Sequence, residues 1–215
     1  MPRELADLPY ARYLEPFHGE LEPEGDYDCA HLSGIDVSDA DVRHATFTES
    51  AFTDFAMNRG SMRHTRFRDV WCRDVRWIGT ELADTAWQDA ELIAGALAGV
   101  DAGGAVLRRM RFEGCKLDSI NLRSATLRDV TFVDCVLRDI DLAGANLTNV
   151  TFPGSRLDGL LLNKARLTKV DLRGALGIGI ADGLEALRGA TVTPLQLLDL
   201  APAFARATGI IVADA

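Results

Sequence analysis

No apolar run in these 215 residues is longer than Leu92–Val100, well short of the ~18 residues a membrane-crossing helix needs. The opening stretch MPRELADLPYARYLEPF is charged and interrupted by proline, unlike a secretory leader, so the chain reads as cytoplasmic. Cysteine is scarce, four in all, and no C-x-x-C pair suggests a zinc or redox site. Cys72, Cys115 and Cys135 instead read as small buried side chains with free thiols. No phosphate loop, dinucleotide fingerprint, nucleophile elbow or zinc motif is present. Neither a cofactor nor catalysis is therefore expected.

What the chain has in place of these is a period of five. From Leu32 to Leu172 every fifth residue is hydrophobic, 29 positions without exception, a run with chance odds of roughly one in a billion at this composition. A second register two residues ahead runs from Ala30 to Ala175 and holds only small or apolar side chains, never a charge. Two residues is the strand spacing that points side chains the same way, so both registers face inward. Asp, Arg, Thr, Asn and Gly collect at the other three positions, as on a solvated wall. A helix repeats at 3.6 and an open strand at 2, and a sustained period of five fits neither.

A weaker repeat of twenty closes the units into turns. Residues 111–130, 131–150 and 151–170 align without a gap, matching Phe112, Phe132 and Phe152, then Cys115, Cys135 and Ser155, then Val130, Val150 and Val170. Four units make one turn, and turns stacked at ~4.8 Å bring like side chains into ladders. The units Ala125–Asp129, Ala145–Asn149 and Ala165–Lys169 resemble the A-[DN]-L-x-x units of pentapeptide-repeat proteins, over about residues 25–175. The resemblance implies an all-β solenoid, a right-handed quadrilateral β-helix, here of about seven to eight coils with a short helical carboxy-terminal cap. The expected organisation is a capping segment at residues 1–24, the array at 25–175, and a cap at 176–215 with a helix at about 194–208.

Both ends depart from the register. The first 28 residues hold eight acids against Arg3 and Arg12, and Leu8, Tyr10, Tyr13, Leu14 and Phe17 are expected to cover the open first turn. Near the other end Thr193-Pro194 starts a helix with Leu197, Leu200 and Phe204 on one face. Pro202 is expected to bend or split that helix, Gly209 to end it, and Ile210, Ile211 and Val212 to form a short strand. These residues read as an end cap, and as the candidate contact of a homodimer. Quinolone-resistance members of the family that the chain resembles dimerise through this end.

Those members are also thought to imitate B-form DNA and so bind DNA gyrase, a type II topoisomerase. The net charge of −9 is unevenly spread: residues 1–28 carry −6, residues 176–215 carry −2, and the array only −1. Seven turns span ~34 Å, over which B-DNA carries ~20 negative charges, so mimicry by the whole rod is not supported and no direct nucleic-acid binding is expected. One side of the square is acidic, with Asp54, Asp74, Glu91, Glu113, Asp134 and Asp171 against Arg73, Arg111 and Arg173. The side centred on Phe47 to Leu167 is basic, through Arg66, Arg68, Arg108, Arg109, Arg128, Arg166 and Lys169. The turn from Glu91 to Met110 forms a sparsely charged waist, with Ile93, Ala96, Ala98 and Val106 as candidate contacts. His44 and His64 are expected to stack one turn apart above Asp84, more simply as wall residues than as metal ligands. The expected function is a non-enzymatic interaction protein that binds gyrase and modulates drug or toxin sensitivity; the alternative is a scaffold or regulatory module for an unrelated protein.

Overall fold

A computed structural model describes residues 3–213. Most units of five contribute one short strand, and each turns at one corner, with residues twenty apart paired in parallel: Met57 on Trp77, Trp77 on Leu97, Leu97 on Leu117. The result is a four-sided parallel solenoid of about eight coils, the third wall alone being an eight-stranded sheet from Asp36–Ser38 to Gly177–Asp182. The first wall is centred on Tyr27, Phe47 and Phe67, the second on Leu32, Phe52 and Cys72. These two join in one sixteen-stranded sheet through the strand Thr126–Val133. Along the fourth wall, centred on Val42, Met62 and Leu82, the first coils are linked by single bridges such as Asp41 to Ser61 and Ser61 to Glu81.

Both inward registers are buried along most of the rod, and half-buried at Ile35, Val37, Ala40 and Leu167. Ring ladders fill much of the axis. Tyr27, Phe47, Phe67 and Trp87 stack with centroid spacings of 4.7, 5.4 and 3.6 Å, and Phe112, Phe132 and Phe152 with spacings of 4.7 and 5.2 Å. The second register tolerates hydroxyls because each finds a carbonyl: Thr65 Oγ1 donates to Val42 O at 2.9 Å and Ser155 Oγ to Phe132 O at 2.9 Å. A charge there would have no such partner. Cys115 and Cys135 use the same device, each thiol donating to a carbonyl, of Leu92 and Val133 respectively.

The backbone shows a third register. Every fifth residue from Glu24 to Lys169 has φ between +45° and +70°, the left-handed corner that turns the chain from one wall to the next. Asp, Asn and Gly hold most of these positions, the residues that enter this region most readily. Ala94 holds one of them, exposed, at φ +53°. Ala94→Gly is expected to stabilise the fold by about 0.5 kcal/mol, because relief of ~1–2 kcal/mol of left-handed strain exceeds the extra chain entropy of glycine. Ala96→Gly, exposed two residues on but within the strand Ala96–Ala98, is expected to destabilise by about 0.5–1 kcal/mol. Urea midpoints of the two variants should move in opposite directions.

The carboxy-terminal end differs from expectation in three respects. Coil formation continues beyond Ala175: Gly177–Asp182 pairs with Arg156–Leu161, with register slips, and Ala190–Thr191 pairs with Val170–Asp171. The edge of the last regular coil needs a partner for its backbone groups even where the five-residue pattern has ended. The helix α1, Pro194–Thr208, is one element through Pro202. The lost amide would have bonded to the carbonyl of Leu198, and both residues lie on the exposed side. Ile210–Val212 forms no strand. Thr193 and Gln196 form a reciprocal capping box, and Gln196 Nε2 also donates to the Leu172 and Ala175 carbonyls at 2.8 and 3.0 Å, closing the end of the core.

The amino-terminal segment does more than cover the first turn. Phe17 does so, edge-on to Tyr27 with centroids 5.5 Å apart, and Glu15–Pro16 adds a strand to Ala30–His31. Residues 3–14 instead climb the outside of the second wall in two short 3-10 turns, Leu5–Asp7 and Ala11–Tyr13. Leu8 and Tyr10 are buried there, against Ala51, Trp71 and Ile93, while Tyr13 is exposed. No helix among the described residues is long and apolar enough to cross a membrane.

Candidate functional site

The walls put alternate residues of each strand outward, so surface chemistry is read along columns spaced by twenty residues. The second wall does align Asp54, Asp74, Glu91, Glu113, Asp134 and Asp171 along one side. Much of its charge is answered locally. Glu91 pairs with Arg3 and Glu113 with Arg111, and Asp171 with Arg173, each at 2.7 Å; Asp74 lies 3.7 Å from Arg73. The hydrogen bonds from Arg173 hold the Asp171 carboxyl below the usual carboxylate range. Asp54 and Asp134, both at left-handed corners, have no ion-pair partner among the described residues. On the basic wall Arg109 pairs with Asp89 at 2.5 Å and Arg128 with Asp129 at 3.6 Å. Arg66, Arg68, Arg108, Arg166 and Lys169 are exposed.

The waist is not one patch. Ile93 lies on the second wall and is buried beneath the amino-terminal segment, which removes it as an open contact. Ala96 and Ala98 are exposed on the third wall, and Val106 is half-buried on the first. Inside this waist Ala102 is the smallest member of its ladder, and a void of about 40 Å³ with a wholly apolar lining lies among Leu97, Ala102, Leu107 and Leu122.

The cap residues divide as well. Leu200 is buried against the end of the core and Phe204 partly so; they hold the helix down and are not free for a second molecule. Leu197, Ile210, Ile211 and Val212 are exposed, and Leu176, Leu195 and Leu198 add to them.

Two polar clusters complete the inventory. His44 and His64 stack as expected, with ring centroids 4.8 Å apart, and His64 Nδ1 lies 3.9 Å from Asp84 Oδ2. They border an open groove of about 450 Å³ lined also by Arg43, Arg59, Arg63 and Glu81. Potential metal-ligand atoms of Asp28, Cys29 and Glu49 lie within 4.8 Å of one another at the edge of the first coils. Partial burial, then the two carboxylates, push the Cys29 thiol up, away from the thiolate a metal would need.

Four walls around an apolar axis define a parallel β-solenoid whose interior is packed among the described residues. The chain carries the repeat of a known family: residues 85–162 match the family model described as a pentapeptide repeat region. Among solved structures it is similar to a trypsin-treated variant of QnrB1, a plasmid-mediated fluoroquinolone resistance protein, at 12% identity and a TM-score of 0.50. That match covers 93% of this chain and 96% of the other. HetL, a pentapeptide repeat protein involved in heterocyst differentiation regulation in the cyanobacterium Nostoc sp. strain PCC 7120, matches at 18% identity and a TM-score of 0.28, over 81% of this chain and 92% of the other. No curated protein sequence matches the chain. At such identities the likeness is one of fold.

Proposed function

We propose that the protein is a non-enzymatic interaction rod that binds DNA gyrase or another type II topoisomerase and alters its response to fluoroquinolones or toxins. The observation that supports this reading is the shared fold with a fluoroquinolone resistance protein over 93% of the chain. Asp54 and Asp134 on the second wall are the acids left open for such a partner, and the exposed cap residues are the contact through which two rods join end to end. Purified protein in stoichiometric excess is expected to relieve fluoroquinolone inhibition of gyrase supercoiling. Absence of any effect, on supercoiling or on drug inhibition, would refute the reading. In sedimentation the protein is expected to run as a dimer, and Leu197→Asp with Ile211→Asp as a monomer.

A second reading is favoured by one observation, the local neutralisation of Glu91, Glu113 and Asp171, which leaves the second wall a weak imitation of a polyanion. On that reading the rod is a scaffold or regulatory module for an unrelated protein. Affinity capture that returns a partner other than a topoisomerase, in a sample inert toward gyrase, would select it.

A further inference from the structure

The second wall carries an outward tryptophan that its own architecture does not require. The strands Ala51–Thr53, Trp71–Arg73 and Glu91–Ile93 are each paired on both sides, so their backbone groups are satisfied without any cover. Ala51, Trp71 and Ile93 nonetheless form an apolar ledge where this wall elsewhere presents mainly charge and hydroxyl. The segment of residues 3–14 lies over it. Every backbone bond that Leu5 to Leu14 donate within the segment goes to the segment itself, and the first backbone bond donated to the solenoid comes from Glu15, to Cys29 O. The segment is held by Leu8 and Tyr10 on the ledge, by Trp71 Nε1 donating to the Arg3 carbonyl at 3.2 Å, and by the crossed pairs Arg3–Glu91 and Glu4–Arg73.

Side chains that grip a ledge without a ladder make a contact that forms and releases independently of the fold beneath it. The geometry points to a peptide-docking site on the second wall, closed in this state by the chain's own amino-terminal arm. The arm is also the template for what the site accepts. A partner protein displaces it with a segment that carries an arginine-glutamate pair ahead of leucine and tyrosine anchors, the arginine meeting Glu91, the glutamate meeting Arg73, and the anchors meeting Trp71 and Ile93. Linear segments that bury two or three anchors with charges placed beside them are recognised in this way on many rigid surfaces. The site is independent of the topoisomerase reading, since it needs neither the cap nor the open acids.

The test uses the full chain with Leu8→Asp and Tyr10→Ser, which unseats the arm without shortening the protein. The chain has three tryptophans, and Trp77 and Trp87 point inward, only 1% and 4% exposed, so a change in acrylamide quenching reports Trp71. The variant is expected to keep the wild-type circular dichroism, to gain one quenchable tryptophan, and to bind a labelled synthetic peptide of residues 3–14 saturably. Wild type, with the site occupied, is expected to bind that peptide at least tenfold more weakly. Adding Glu91→Lys to the variant, or serine at both anchors of the peptide, is expected to abolish binding. Unchanged quenching, equal binding to both proteins, or unfolding of the variant would overturn the proposal. So would a wild-type dimer that Leu8→Asp alone converts to monomer, because the arm would then be exchanged between two copies.

Discussion

Phe67→Ala is expected to lower stability by about 3–5 kcal/mol, the range for a buried phenylalanine whose cavity the surroundings cannot collapse to fill. Phe67 sits between Phe47 and Trp87 with interplanar angles of 5° and 10°, and all three rings are fixed to backbone that is hydrogen-bonded above and below. Neither neighbour can move toward the gap without breaking its own ladder. At ~2–4 °C per kcal/mol for a chain of this size, the midpoint should fall by about 10 °C. The loss also weakens one coil–coil interface in a quasi-linear array, so the coils before Phe67 should unfold at lower temperature than those after it. Calorimetry of the variant should therefore show a broadened or split transition. Val136→Ala, at an exposed position of the third wall, is the control and should change stability by less than about 0.5 kcal/mol. A single sharp transition near the wild-type midpoint for Phe67→Ala would mean that the ring ladder does not couple the coils.

Gly183→Ala is expected to destabilise by about 3 kcal/mol or more. Gly183 follows the strand Gly177–Asp182 at φ +82°, and a Cβ there would lie 2.4 Å from Asn163 N and 2.5 Å from the Leu162 carbonyl carbon. These are backbone atoms, and they are pinned: Leu162 N donates to Asp182 O at 2.9 Å and Asn163 Nδ2 to Asp182 Oδ2 at 2.7 Å. The strain of a left-handed alanine, ~1–2 kcal/mol, thus adds to an overpacking term of ~1–3 kcal/mol. Gly209→Ala isolates the first term, because Gly209 has φ +74° at the end of α1 and nothing within 4 Å of an added Cβ. It should cost about 1 kcal/mol. Denaturant midpoints that ranked the two glycines the other way would show that the chain beyond Asp182 is not seated on the final coil.

The solenoid was legible because its two inward registers are continuous. Leu97, Leu117 and Leu137 align in sequence at twenty and in space at the same spacing, so the pattern states the contact directly. The left-handed corners were legible too, had the enrichment of Asp and Gly at positions such as Asp69, Asp74, Gly79 and Asp84 been read as a conformational demand. The amino-terminal arm left a fainter trace. Trp71 and Ile93 stand at outward wall positions where this chain otherwise favours polar side chains, and an outward tryptophan signals a cover that the sequence does not name. The division of the cap into Leu200 inside and Leu197 outside needed the direction from which the helix approaches the core.

The sequence by itself determined the solenoid and its inward residues, because both are set by contacts at a fixed spacing along the chain. The tertiary structure alone decided which surface acids stay unpaired, that Ile93 is covered, and where the two ends lie. Those outcomes depend on segments without a repeat, whose partners are chosen by reach and shape across distant parts of the chain, as when Arg3 finds Glu91.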